Sequence, residues 1–328
     1  MKKTSFYHPE LDILRFAAFF AVFVHHSLPT NREAYSHHFN SYISGIIASA
    51  ITAGGLGVDL FFCLSSFLIT KLLIIEYDQS GSIDIKSFYV RRILRIWPLY
   101  IFILILTIFL FPLILDNEGM SKIHILSFML FFANWSCAFL GYPHSVAAPL
   151  WSVSIEEQFY LTWPILLKFI NVKNIVNVSV LLLIIATVTR LYIVITGTKH
   201  PTTAIWCNTF ARLDPIAAGA ILAYYHGKFK YSLRLCSRIL LLIIGSSIPV
   251  IFIYFYNKST LIGYESLLFY PLVAFACSII LIAVIKENIH MSDQSSFRKL
   301  FVHLGRISYG LYVYHVFSIH FVKQYYPH

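Results

Sequence analysis

Apolar runs close to twenty residues long recur from one end of this chain to the other, and that recurrence limits what it can fold into. A helix needs about 20 apolar residues to cross a hydrocarbon core of about 30 Å. Ten runs are legible, at about 11–28, 56–75, 93–115, 124–140, 151–170, 176–195, 210–225, 240–256, 267–285 and 302–322. Only 12% of the 328 residues are charged, against about 25% in an ordinary globular domain. Transmembrane barrel strands would be about ten residues long and would alternate, and these runs do neither. The expected fold is an all-α polytopic membrane protein, a single bundle of about ten transmembrane helices in a cell (inner) membrane. Short links between the runs predict one domain over residues 1–328.

Lysine and arginine set the orientation. Lys2, Lys3, Lys86, Arg91 and Arg92 place the N-terminus and the second link in the cytoplasm. Ten crossings then put the basic links 228–238 and 286–306 outside, against the rule. Making 124–140 re-entrant returns both to the inside with nine. Ten remains the working number. In such a chain a formal charge of +10 reports contact with anionic headgroups, so membrane lipids and not nucleic acid are the expected partners. His8, Glu10, Asp12 and Arg15 precede the apolar part of the first run, and no small-residue cleavage site follows, which predicts a retained helix. The five cysteines form no CxxC pair and read as small buried hydrophobes.

Ionisable groups inside such runs are costly, and each is a candidate for function. Arg15 and His26 are eleven residues apart, three helical turns, which sets them near one face and about 16 Å apart. His25 points about 100° away. For either ring the ordinary alternative is an interfacial histidine bonded locally. In FYVRRILRIWPLY, residues 88–100, Arg91, Arg92 and Arg95 stand at the mouth of an apolar run. Arg92 and Arg95 share a helical face. They suit anchoring among headgroups or gripping phosphate through paired, charge-assisted bonds. Asp59 interrupts LGVDLFF and is expected to pair with an arginine or to cap the entrance of its span. Ser65 and Ser66 lack a GxSxG elbow and read as small residues at a helix contact.

WSVSIEEQFY, residues 151–160, brings Ser154, Glu157 and Gln158 together at i, i+3 and i+4, and Ser154 with Glu157 also fits a capping box. Of the adjacent acids Glu156 and Glu157, one must turn inward or pair. A carboxylate near a histidine orients the ring and raises its basicity, as a general base requires. Arg212, Asp214 and Gly219 open the 210–225 run. Tyr309, Tyr312 and His315 follow Arg306 as an interfacial belt or an inward stripe. No HExxH spacing, Walker loop or GxGxxG turn occurs, so no metal is expected and nucleotide-driven chemistry is disfavoured. Two classes use this inventory. One is a transferase moving an activated group from a phosphate-bearing donor to a hydroxyl, and the other is a proton-coupled carrier for an anionic or sugar substrate.

Six blocks in chain order carry a resemblance. They are LDILRFAAFFAVFVHH (11–26), GGLGVDLFFCLSSFLIT (54–70), FYVRRILRIWPLY, WSVSIEEQFYLTWP (151–164), RLDPIAAGAILA (212–223) and LGRISYGLYVYH (304–315). Together they resemble integral-membrane acyltransferase family 3, which contains the O-acetyltransferases of O-antigen, peptidoglycan and exopolysaccharide. The resemblance implies transfer of an acyl group, chiefly acetyl, from cytoplasmic acyl-CoA to a hydroxyl of a cell-surface or lipid-linked glycan. Acetyl-CoA is then the donor substrate. His26 is implied as the catalytic histidine with Glu157 assisting, and Arg15, Arg92 and Arg95 as donor-binding residues, the last two on the CoA phosphates. Ser66 stands where many relatives have glycine, a departure that bears on local packing. No esterase-like region follows His328, so any relayed second transfer is expected to need a separate protein. Some similar proteins serve exopolysaccharide export, which keeps a membrane transporter or exporter of a polysaccharide or its precursor as the alternative.

Overall fold

Lipid offers no partner to a backbone N–H or C=O, so apolar runs of this length satisfy their hydrogen bonds internally, as helices. The computed structural model describes residues 8–115, 119–226, 228, 233–256, 262–285 and 296–325. Lys2 and Lys3, and 229–232 and 286–295 of the two basic links, lie outside the described residues. The helices that matter below are α1 (Pro9–Ser27), α2 (Ser41–Gly54), α3 (Gly57–Ser80), α4 (Ile85–Ile105), α5 (Lys122–Met129), α6 (Ala133–Leu140) and α7 (Trp151–Phe169). They continue with α8 (Ile175–Thr196), α9 (Asp214–Tyr225), α10 (Leu235–Tyr256), α11 (Ser266–Val284), α12 (Ser296–Arg306) and α13 (Ser308–Tyr325).

Among the described residues five stretches, not ten, are long and apolar enough to cross a membrane. They are Ser41–Ser80, Ile85–Ile114, Val172–Thr196, Leu235–Tyr256 and Ser266–Val284. The chain is a multi-pass membrane protein, but the expectation of about ten spans is overturned, for reasons that can be named. The 124–140 run breaks at Phe131, whose φ of 57° turns the chain between α5 and α6. The 210–225 run yields only the twelve-residue α9 behind a 3₁₀ turn at Phe210–Arg212. At Ile307 the 302–322 run divides into α12 and α13. Helices α1 and α7 reach nineteen residues, yet each carries three charges, Glu10, Asp12 and Arg15 in one and Glu156, Glu157 and Lys168 in the other. Helix α2 was not anticipated as a helix at all.

The chain divides into two packing units. The first draws on Met1–Ile75, Pro215–Ser259 and Pro271–Tyr309, the second on Glu76–Asp214, Thr260–Tyr270 and Gly310–His328.

In the first unit the glycine block explains itself. A Cβ on Gly54 or Gly57 would overlap the carbonyls of Ala21 and Ala18 on α1, and one on Gly55 would meet the His25 ring at 3.1 Å. Glycine at these positions lets two backbones touch. The same device recurs where Gly219 of α9 lies against the Cys63 carbonyl of α3. Beside it the Ser66 hydroxyl donates to Ile216 O at 2.6 Å, which gives the serine at this position a packing and bonding role. Helix α12 docks on the first turns of α1, with the Phe16 and Phe301 rings edge to face at 5.5 Å and Arg298 paired to Glu10 at 2.9 Å.

In the second unit α4 and α7 run antiparallel and are laced side by side. Tyr89 Oη donates to Leu161 O at 2.6 Å, Arg92 lies over the Tyr160 ring at 5.7 Å, and Trp97 Nε1 donates to Glu157 Oε2 at 3.0 Å. Three contacts in opposite chain order fix the register of the two helices.

Candidate functional site

Of the expected site residues, Arg15 and His26 belong to the first unit and Arg92, Arg95 and Glu157 to the second. On α1, Arg15 Nη1 donates to Asp12 Oδ1 at 2.9 Å, and Asp12 is 5% exposed. The second carboxylate oxygen of Asp12 faces Arg306 Nε at 3.8 Å. Asp12 therefore holds Arg15 from one turn away, an orienting contact that the sequence reading did not assign. His25 and His26 part company. His25 is half-buried against Gly55, with Nδ1 paired to Ile51 O at 3.1 Å. His26 is exposed, its ring edge-on to His25 at 5.2 Å. One ring is thus committed to packing and the other turned outward. Asp59 is buried in the first turn of α3.

On α4, Arg91 and Arg95 are exposed and Arg92 is half-buried. Its guanidinium lies over the Phe88 ring at 5.5 Å and the Tyr160 ring at 5.7 Å. Two ring faces fix its plane, as cation–π contacts do. On α7 the capping-box expectation fails. Leu150 is the N-cap and makes no side-chain cap bond, so Ser154 lies inside the helix, fully buried. Both adjacent acids are engaged: Glu156 Oε2 accepts the Tyr160 hydroxyl at 3.1 Å, and Glu157 Oε2 accepts the Trp97 indole. Glu157 Oε1 is buried without a hydrogen-bond partner among the described residues.

Gln158 is held on three sides. Its Nε2 donates to Phe131 O at 3.0 Å and to Asn134 Oδ1 at 2.9 Å, while its Oε1 accepts from Thr209 Oγ1 at 2.6 Å. Asn134 Nδ2 closes the ring onto Thr209 Oγ1 at 2.8 Å. Sequence reading missed Trp97, Asn134 and Thr209, whose residue types are ordinary in a membrane helix or a loop. It also missed Arg190, buried and paired with Asp214. There the signal was available, since a lone arginine inside the 176–195 run is costly by itself. The Tyr312 stripe turns inward: Tyr312 Oη meets Ser152 Oγ at 2.7 Å and donates to Pro149 O at 3.0 Å.

The second unit offers a guanidinium set on α4 and an acid with one free oxygen on the neighbouring α7; the first unit, taken by itself, offers an outward histidine on α1. Known proteins resemble this sequence. The chain is 28% identical over 343 residues to a protein of Staphylococcus aureus strain MSSA476 provisionally named an O-acetyltransferase, covering 98% of this chain and 52% of that protein. It is 28% identical over 339 residues, with the same coverage, to the O-acetyltransferase OatA of S. aureus strain NCTC 8325. The chain thus spans about half the length of the curated relatives it matches. No solved structure matches it. Residues 8–328 match the family described as the acyltransferase domain, so nearly the whole sequence is accounted for and the chain belongs to that family.

Proposed function

We propose that this chain transfers an acetyl group from acetyl-CoA to a hydroxyl of a cell-surface or lipid-linked glycan. The observation that carries the reading is Glu157 on the arginine-laced helix pair. One of its oxygens is fixed by Trp97 and the other is buried and bare, an acceptor waiting for a proton-bearing group in a chain of the acyltransferase family. The O-acetyl transfer named in the relatives supplies the group and the kind of acceptor. The exposed guanidinium of Arg95 and the ring-braced one of Arg92 suit the phosphates of a CoA donor. Arg15, oriented by Asp12, adds a third cation.

In the reaction His26 takes the proton of the acceptor hydroxyl. The hydroxyl oxygen forms the new ester bond at the thioester carbonyl, the C–S bond breaks, and the leaving CoA sulfur receives the proton. Ester and free CoA are the products.

The test uses the purified full chain in lipid nanodiscs. His26→Ala is expected to block acetyl transfer while acetyl-CoA still binds. Arg95→Ala is expected to weaken acetyl-CoA binding, with the difference from wild type shrinking at high salt as the charges are screened. A wild-type chain that neither bound acetyl-CoA nor released CoA would overturn the reading and favour a carrier. Comparing glycans from cells with and without the chain, for a mass difference of one acetyl group, identifies the acceptor.

A further inference from the structure

The two oxygens of Glu157 live in different surroundings. Oε2 takes the Trp97 indole N–H at 3.0 Å, whereas Oε1 is buried and has no hydrogen bond among the described residues. Leaving a buried acceptor unpaired is costly, and such atoms in folded proteins call for a ligand or a function.

Neither side chain of the pair can drift. The Trp97 ring lies against Phe131 at 5.1 Å, and Phe131 stacks on Tyr100 at 4.4 Å. Phe131 is held at φ 57°, a left-handed conformation that is unfavourable for phenylalanine by about 1–3 kcal/mol and persists where the surroundings over-determine it. What holds it is Gln158, whose amide donates to the Phe131 carbonyl and is itself locked by Asn134 and Thr209. Glu157 is therefore bracketed from both sides. Its neighbour in sequence is pinned by a closed ring of hydrogen bonds, and its own oxygen is pinned by a residue of α4. That helix also carries Arg92 and Arg95, five and two residues before Trp97.

We propose that Trp97 is a positioning residue: its indole N–H fixes Glu157 Oε2 so that Oε1 is presented to a hydroxyl of the acyl acceptor. The inference rests on the acyltransferase reading given above. A tryptophan that served packing alone would do so through its ring, and phenylalanine would replace it with little loss.

Four versions of the chain decide the matter: wild type, Trp97→Phe, Glu157→Gln and the double variant. Radiolabelled acetyl transfer from acetyl-CoA into the cell-envelope glycan fraction is followed, together with acetyl-CoA binding in nanodiscs. Leaving Glu157 Oε2 without its donor predicts a rate about ten- to a hundredfold lower in Trp97→Phe. Its KM for acetyl-CoA should stay within about twofold of wild type, as expected when only an interaction used in turnover is lost. Because both changes act through one carboxylate, the double variant should be no slower than Glu157→Gln alone. An unchanged rate in Trp97→Phe, or losses that multiply in the double variant, overturns the proposal.

A second readout does not depend on turnover. The carboxyl or carboxylate infrared band that disappears in Glu157→Gln should shift in Trp97→Phe, and an unmoved band overturns the proposal. Should Trp97→Phe fail to fold, β-(3-benzothienyl)alanine at position 97 keeps the ring shape, replaces N–H by sulfur, and must reproduce the same losses. An inactive wild type overturns the acyltransferase reading, and the infrared band still decides whether Trp97 holds Glu157.

Discussion

Arg190 and Asp214 meet as a two-pronged ion pair with neither side chain exposed. Arg190 Nη1 reaches Asp214 Oδ2 and also Ala211 O at 2.7 Å, while Nη2 reaches Asp214 Oδ1 at 3.0 Å. The Tyr270 ring covers the guanidinium at 5.4 Å. Deprived of water, each charge depends on the other. Asp214→Asn is expected to destabilise the protein by about 3–5 kcal/mol, because it strands a buried guanidinium. An Arg190→Leu, Asp214→Leu double variant should lose less than the sum of the two single changes. Denaturant unfolding in detergent measures both.

Gly305 of α12 lies where a Cβ would overlap the backbone carbonyl of Asp12, the residue that holds Arg15. A carbonyl in a helix cannot rotate aside as a side chain can, so α12 must back away. Gly305→Ala should cost about 1–3 kcal/mol through overpacking and should also weaken acetyl-CoA binding by disturbing Asp12 and Arg15. Gly119→Ala is the control, since nothing among the described residues lies within 4 Å of a Cβ there. Equal melting temperatures for the two variants would contradict the close contact.

The Gln158–Asn134–Thr209 ring has no spare member. Thr209→Val keeps the side-chain shape but leaves Gln158 Oε1 without its donor and Asn134 Nδ2 without one of its two acceptors, the other being Cys207 O at 3.1 Å. Orphaning a buried polar group predicts a loss of about 1–3 kcal/mol. Chemical denaturation of the variant beside wild type checks it, and a stability within error of wild type would show that the ring contributes nothing.

His226, just beyond α9, is held down to about 4 from an ordinary value of 6.5, first by burial and then by the charges of Lys71 and His8. His8, 6.3 Å away ring to ring, is lowered as well, by burial working against Glu10. Both rings are thus harder to protonate in the native protein than in the unfolded chain. Their contribution to stability is complete above pH 6.5 and declines as the pH falls from 6.5 toward 4, where the unfolded state binds more protons. Melting temperature should fall across that window, and more gently in His226→Gln. A slope identical to wild type would rule out His226 as a source.

The sequence was most legible where chemistry and spacing coincide. Ser66 read as a small residue at a helix contact, and it lies against Ile216 and Gly219 of α9; the close approach of Gly54, Gly55 and Gly57 to α1 was not read. Arg92 and Glu157 stood out as ionisable groups at the edges of apolar runs, and both are engaged in side-chain contacts on adjacent helices. The number of spans was illegible because apolarity alone does not say whether a backbone continues or turns. At Phe131 the turn is held by a glutamine 27 residues away, a contact no local pattern reveals. The same holds for Trp97, which looks like any interfacial tryptophan until its N–H is seen on a carboxylate. Helical angle put His26, not His25, near the face of Arg15, but what His25 packs against, Ile51 O of α2 and Gly55 just beyond it, left no local sign.

Where α1 rests on Gly54 and Gly57 there is no layer of side chains between the two backbones. Sliding or rocking in proteins is usually absorbed by rotamers that swap between wells, and bare main chain against main chain has none to swap. Helix α1 and the glycine strip must therefore travel together as one stiff piece. Whatever shape change accompanies a catalytic cycle has to be hinged somewhere other than this seam.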